Sequence, residues 1–190
     1  PKLSDLKQLN DKYDNSLFFG GSLFKSRGID TLLEFLDKNP DKKIQCAGWI
    51  LDEAAEQFIE HSQVVYHGIL PQNLANELCS QCLASIALYE PKNMNNIYAS
   101  PNKIYDSLCM GEFIFINKET KLASWIGRSN LVISFDYHDS DGLLNACKQV
   151  AIIKGNRSTK RYATAYRRLF IWEKFEGVLF GLHEEPLNNL

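Results

Sequence analysis

The sequence predicts an α/β domain of three layers, a parallel sheet of about six strands with helices on both faces and further helices at the C-terminus. Three observations carry this expectation. Short apolar runs alternate with helical stretches from Leu17 to about Lys154, and strict β/α alternation argues for parallel strands joined by crossover helices. The apolar runs are strand-sized, the longest around Phe113 and Ile116, and none approaches the roughly 18 residues a membrane span needs. The composition, 45% hydrophobic and 23% charged over 190 residues, is that of an ordinary globular chain long enough to bury a core. Collagenous, low-complexity and disulfide-scaffold classes are excluded.

The elements follow in order. Residues 1–15 are polar, with Leu3, Leu6 and Leu9 at helical spacing, and read as an entering helix or a linker. Strands are expected at 17–19, 44–47, 64–66, 85–89, 113–116 and 131–135. Helices are expected at 28–37, where Ile29, Leu32, Leu33 and Leu36 share a face, and at 52–61, 71–82, 101–110 and 120–127. After the sixth strand the chain turns helical, at 139–154, 158–169 and 171–182. This divides the chain into a leading segment 1–15, a Rossmann-like domain 16–155, and C-terminal helices 156–190. In such sheets ligands bind outside the carboxyl ends of the strands.

Charge and cysteine content narrow the function classes. The net charge of −2 gives no whole-molecule grip on nucleic acid. Five cysteines, an odd number in apolar or helical contexts, suit free thiols in a reducing cytoplasm, and no leader for export is visible at Pro1. Cys79 and Cys82 form a CxxC late in a predicted helix, without the second ligand pair a zinc site needs. His61, His67, His138 and His183 share no metal-ligand spacing, and no nucleophile motif such as GxSxG is present.

Two segments carry chemistry. The first strand is expected to run into Gly20, Gly21 and Ser22, with a helix opening near Arg27 and Gly28. Glycines there either make a tight βα turn or let the backbone approach an anion, with Arg27 offering a fork of donors. The second segment runs from Ser100 to Gly111. Ser100 suits an N-cap and Pro101 the first helical position. Lys103 then falls in the first helical turn, where a cation is unfavourable unless an anion is present. Asp106 shares its face. The pair reads either as a surface ion pair or as a cation for a diphosphate beside a carboxylate for ribose hydroxyls, and a helix start, cation and carboxylate in one turn match a nucleotide better than a solvated face.

The stretch SPNKIYDSLCMGEFIFIN, 100–117, resembles the signature of the C-terminal, donor-binding domain of GT-B glycosyltransferases, in the large retaining group that includes enzymes of bacterial polysaccharide biosynthesis. LFFGGSLFKSRGID is similar to that family's Gly-containing loop, with Arg27 in the basic position, and Cys46 to Trp49 and Tyr66 to Gly68 match strand ends lining its nucleotide cleft. The segment with Trp172 and Glu173 resembles its closing helix. The resemblance implies a donor site made of Gly20, Gly21, Ser22, Arg27, His67, Gly68, Ile69, Asn102, Lys103 and Asp106. Gly21 and Ser22 would offer amides to the phosphates, Arg27 and Lys103 would neutralise them, Asp106 would hold the ribose, and His67, Gly68 and Ile69 would lie near the base. It implies no metal and no cofactor, with a nucleoside-diphosphate sugar as substrate and a preorganised electrostatic role for the cations. The partners implied are that donor and a glycan or lipid-linked acceptor, bound through an N-terminal domain outside this chain; the isolated domain would then transfer nothing.

The resemblance has departures. Many members carry a second acid where Tyr98 stands, Arg where Ser22 stands and Pro where Phe113 stands. Asn95 or Asn96 is then a candidate for the donor sugar. Lys154, Arg157, Lys160, Arg161, Arg167 and Arg168 form a basic run without an acid, expected either as a solvated helix or as a peripheral contact with anionic lipid at the inner face of the membrane. The alternative function is a non-catalytic interaction module with a degenerate GT-B half-fold. A nicotinamide-dependent oxidoreductase is disfavoured by the absence of GxGxxG.

Overall fold

The computed structural model describes residues 15–127 and 129–156. The leading segment before Asn15 and the helices expected at 158–169 and 171–182 lie outside the described residues. Six strands form one all-parallel sheet: β1 (Ser16–Leu23), β2 (Lys43–Ile50), β3 (Val64–Tyr66), β4 (Ala84–Ala87), β5 (Ile114–Asn117) and β6 (Val132–Phe135). Their order is β3-β2-β1-β4-β5-β6, so the direction of winding reverses between β1 and β4. The helices are α1 (Ile29–Lys38), α2 (Glu53–Ile59), α3 (Gln72–Ser80), α4 (Met94–Ile97), α5 (Asn102–Met110), α6 (Lys121–Ile126) and α7 (Ser140–Asn156). The α/β class and the six-stranded parallel sheet expected from the sequence are those observed.

The alternation of side chains along β1 builds the layers. Leu17 and Phe19 belong to the main core with Ile29, Leu32, Phe35 and Leu36 of α1, while Phe18 turns the other way onto Leu78 and Cys79 of α3. Phe19 meets Phe58 of α2 edge-on at 5.7 Å between ring centroids. All five cysteines are free thiols, and burial pushes Cys46 and Cys79 up to about 12, so these two serve the core as small apolar groups. No helix among the described residues is long and apolar enough to cross a membrane.

Three details depart from expectation. β1 does not stop at Phe19; Gly20, Gly21 and Ser22 remain in register with Ala47, Gly48 and Trp49 of β2, and the turn comes later, as a 3-10 turn over Lys25–Arg27. The cause lies in the partner strand. Gly48 has φ +145°, and a Cβ there would overlap the Gly21 carbonyl, so only glycine lets the two strand ends run on together. Pro101 itself occupies the cap position of α5, with φ −76° and ψ 140°, and Ser100 caps nothing; its hydroxyl instead lies 2.6 Å from the Tyr105 hydroxyl. The four-residue α4, capped by Asn93 through the Asn96 N–H, is too short to show a period in sequence.

Candidate functional site: a cationic cleft at the winding reversal

The carboxyl ends of β1, β2 and β4 open into a cleft of about 320 Å³, closed on its flank by α3 and α5. Its position is where the winding reverses, the place an open α/β sheet leaves room for a ligand. Gly20, Gly21 and Ser22 form one wall. Gly21, with φ +105°, has no atom within 4 Å of where a Cβ would stand, so its backbone is bare toward the cleft.

Two cations converge here. Arg27 leaves the 3-10 turn with its guanidinium between two rings, 4.7 Å from the Phe24 centroid and 4.1 Å from the Tyr89 centroid. Nη1 donates to Asn96 Oδ1 at 3.4 Å. Lys103, in the first turn of α5, reaches inward and donates from Nζ to the Gly20 carbonyl at 3.2 Å and the Ile86 carbonyl at 3.0 Å. Burial, reinforced by the neighbouring Arg27 charge, pushes the Lys103 ammonium down to about 8. Burial also holds Arg27 below its ordinary value.

Neither cation is paired with an acid among the described residues. The nearby carboxylates are engaged elsewhere: Glu90 with Lys92 at 2.6 Å, and Asp106 as acceptor from Gln72 Nε2 at 3.3 Å. Two partly buried positive charges met only by carbonyls, an amide and aromatic rings form an unsatisfied electrostatic site. Its natural complement is a polyanion.

The structure thus brings Gly20, Gly21, Ser22, Arg27, Ile69 and Lys103 to one cleft. The other residues of the expected site stand around it. Asp106 accepts from Gln72 of α3, which does line the cleft, and burial raises its carboxyl above the usual range. Asn102 is exposed at the start of α5. His67 is tied by Nε2 to Gln45 Oε1 at 2.8 Å, and burial lowers it below the usual imidazole value. The Gly68 carbonyl accepts from the Gly48 N–H at 2.9 Å. Asn96 is buried and spends its side chain on Arg27 and on the Glu90 carbonyl.

Tyr89 is the residue that sequence reasoning missed. It reads there as one more apolar strand position, and nothing in its local context announces the ring that Arg27 stacks on. Among the described residues no group of three or more His, Cys, Asp or Glu side chains is placed to hold a metal ion.

No family model and no curated sequence matches the chain. Solved structures do. Sucrose-phosphate synthase from Thermosynechococcus elongatus superposes with a TM-score of 0.69 at 15% identity, over 95% of this chain and 50% of that one. Anabaena HepE in complex with UDP-glucose gives 0.65 at 12%, over 95% and 54%. A glycosyltransferase involved in avilamycin A biosynthesis gives 0.62 at 14%, over 89% and 52%. The fold is the Rossmann-like α/β fold that these glycosyltransferase structures contain. At these identities the likeness is one of fold, and the chain spans about half the length of the structures it matches.

Proposed function

We propose that this GT-B domain binds the donor of a glycosyltransferase, holding a nucleoside-diphosphate sugar for transfer to a glycan or lipid-linked acceptor. The observation that carries this reading is the pair of cations, Arg27 and Lys103, that faces a cleft with no acid among the described residues to neutralise it. A diphosphate supplies the missing charge. Arg27 takes phosphate oxygens through its guanidinium fork, Lys103 adds a charge from the floor, and the bare backbone at Gly21 and Ser22 lets the phosphates approach. Charge accumulating on the departing diphosphate is stabilised by groups already in place, so the site needs no reorganisation as the sugar leaves. Asp106 then serves the ribose hydroxyls and the 67–69 segment the base.

In this reading transfer proceeds with retention and without a metal, in the company of an acceptor-binding half, at the cytoplasmic side. Of the basic run that starts at Lys154, Lys154 itself is engaged by Glu112 and the Cys82 carbonyl, and the charges from Arg157 to Arg168 are the ones assigned to anionic lipid, which vesicle binding with and without the Arg167 and Arg168 charges tests. The likeness to HepE, solved with UDP-glucose, supports the donor class. A module that had lost its ligand would gain nothing from keeping two desolvated cations together.

Titration of the chain with UDP, GDP and their sugars by calorimetry or NMR tests the reading. Saturable binding that weakens on Arg27→Ala and on Lys103→Ala is expected. Absence of binding at millimolar concentration of every nucleotide overturns it.

A further inference from the structure

Asn117 is fully buried at the last position of β5, on the far side of β4 from the β1 wall of the cleft. Pairing of β4 with β5 ends at Ala87 and Ile116. Beyond that point the Asn117 side chain takes over the role of a strand. Its Oδ1 accepts the Tyr89 N–H at 2.8 Å and its Nδ2 donates to the Tyr89 carbonyl at 3.1 Å, so one amide group closes both backbone groups of a single residue. The second Nδ2 hydrogen goes to Glu119 Oε2 at 2.9 Å, and Glu119 Oε1 in turn accepts the Tyr137 N–H at 3.0 Å.

The residue so gripped is the one on which Arg27 rests. The Tyr89 ring lies 4.1 Å from the guanidinium carbon, and the next residue, Glu90, donates its N–H to the Ser26 carbonyl at 2.9 Å, tying the same segment to the turn that carries Arg27. The Glu90 carbonyl also accepts from Asn96 Nδ2 at 3.0 Å, and Asn96 Oδ1 is the hydrogen-bond partner of Arg27. Among the described residues, two contacts of Arg27 thus lead back to residues 89 and 90: the Tyr89 ring directly, and Asn96 through the Glu90 carbonyl. Residue 89 lies past the end of β4 and is held in place by Asn117.

We propose that Asn117 is a positioning residue for the anion cleft: by clamping the backbone of Tyr89 it presents the Tyr89 ring, and through it the Arg27 guanidinium, to a nucleoside diphosphate. The inference rests on the donor-site reading for its ligand, but its geometric part does not. A buried Asn that only completes the sheet would affect stability and nothing else. One that orients Arg27 affects the phosphate-dependent share of binding, because a mobile guanidinium must be ordered at the moment the anion arrives.

The test uses Asn117→Ala, with Tyr89→Leu as a second variant that removes the ring and keeps the backbone clamp. UDP and uridine are titrated into each by NMR, alone and in an Arg27→Ala background. The expected result is a loss of about tenfold in UDP affinity, the equivalent of one charged contact, with uridine unaffected and no further loss in the Arg27→Ala background. Equal losses for UDP and uridine, or a full additional loss in the Arg27→Ala background, overturn the proposal. The Arg27 side-chain Nε–Hε resonance is followed without ligand, with Tyr89→Leu marking its position when the ring is gone: a dispersed signal that moves toward that position in Asn117→Ala supports the proposal, and a signal unchanged in Asn117→Ala overturns it. Should the wild-type chain bind no nucleotide, the donor-site reading falls and this resonance still decides the role of Asn117. Should Asn117→Ala not fold, Asn117→Ser, whose short side chain cannot close both backbone groups of Tyr89, carries the same outcomes.

Discussion

Two lysines, at opposite edges of the same sheet, do similar things with opposite consequences. At the carboxyl edge Lys103 donates to the carbonyls of Gly20 and Ile86 and, among the described residues, has no carboxylate beside it. At the amino edge Lys154 donates to the Cys82 carbonyl at 2.9 Å and has Glu112 at 3.6 Å. Glu112 is largely buried, and burial raises its carboxyl above the usual range while Lys154 pulls it back. Both lysines stitch helices to strand ends. Among the described residues only the amino edge pairs its lysine with a carboxylate, and in the donor-site reading the carboxyl edge takes its counter-charge from the ligand.

Substitutions at either edge separate the two roles. The largest effect is expected from Gly48→Ala, which asks a side chain to adopt φ +145° and to overlap the Gly21 carbonyl; the carboxyl edge should lose roughly 2–4 kcal/mol, read as a drop in the urea unfolding midpoint. A midpoint unchanged by this substitution would mean that the edge is far softer than its geometry. Next come the cations: Arg27→Ala and Lys103→Ala should each weaken UDP or GDP binding by about 1.5–3 kcal/mol, the range for hydrogen bonds to charged groups, in a calorimetric titration. At the amino edge, Lys154→Met leaves the Glu112 carboxyl without its partner and should cost about 1–3 kcal/mol of stability at neutral pH, with nucleotide affinity unchanged. Weaker nucleotide binding in that variant would erase the distinction between the two edges.

The smallest and most diagnostic effect is on pH. Lys103 titrates near 8 in the fold against 10.5 as an unperturbed side chain. Between those values the unfolded chain binds the extra proton, so this group makes the protein more stable as pH rises from about 8 toward 10.5. Anion affinity runs the other way, falling as Lys103 loses its charge above about 8. Denaturation and nucleotide titration across this window, for wild type and Lys103→Met, should show the opposed slopes in the wild type alone. Parallel slopes would remove Lys103 from the site.

The strands were legible because each is a short apolar run bounded by turn residues, and the helices because their faces repeat at helical spacing. The site was legible as residue types more than as geometry. Lys103 and Asp106 share a helical face by spacing, yet the long lysine stem reaches across to strand carbonyls while the short aspartate stays beside Gln72. Gly20 and Gly21 read as a turn from their own neighbours. They are strand residues because Gly48, far along the chain, permits the close approach. Tyr89 and Asn117 carried no local signal at all, since their roles consist in each other.

Local sequence alone thus determined the class of the fold, the six strands and the presence of Arg27 and Lys103 at helix starts, because hydrophobic period and capping chemistry act within a few residues. Only the tertiary structure decided that the two cations meet, that no acid among the described residues pairs with them, and that a buried asparagine on β5 bonds the backbone of the residue whose ring lies beneath Arg27. Those facts depend on strand order and on which carbonyls lie exposed where the winding reverses. Pairings between residues tens of positions apart set both, and local pattern does not encode them.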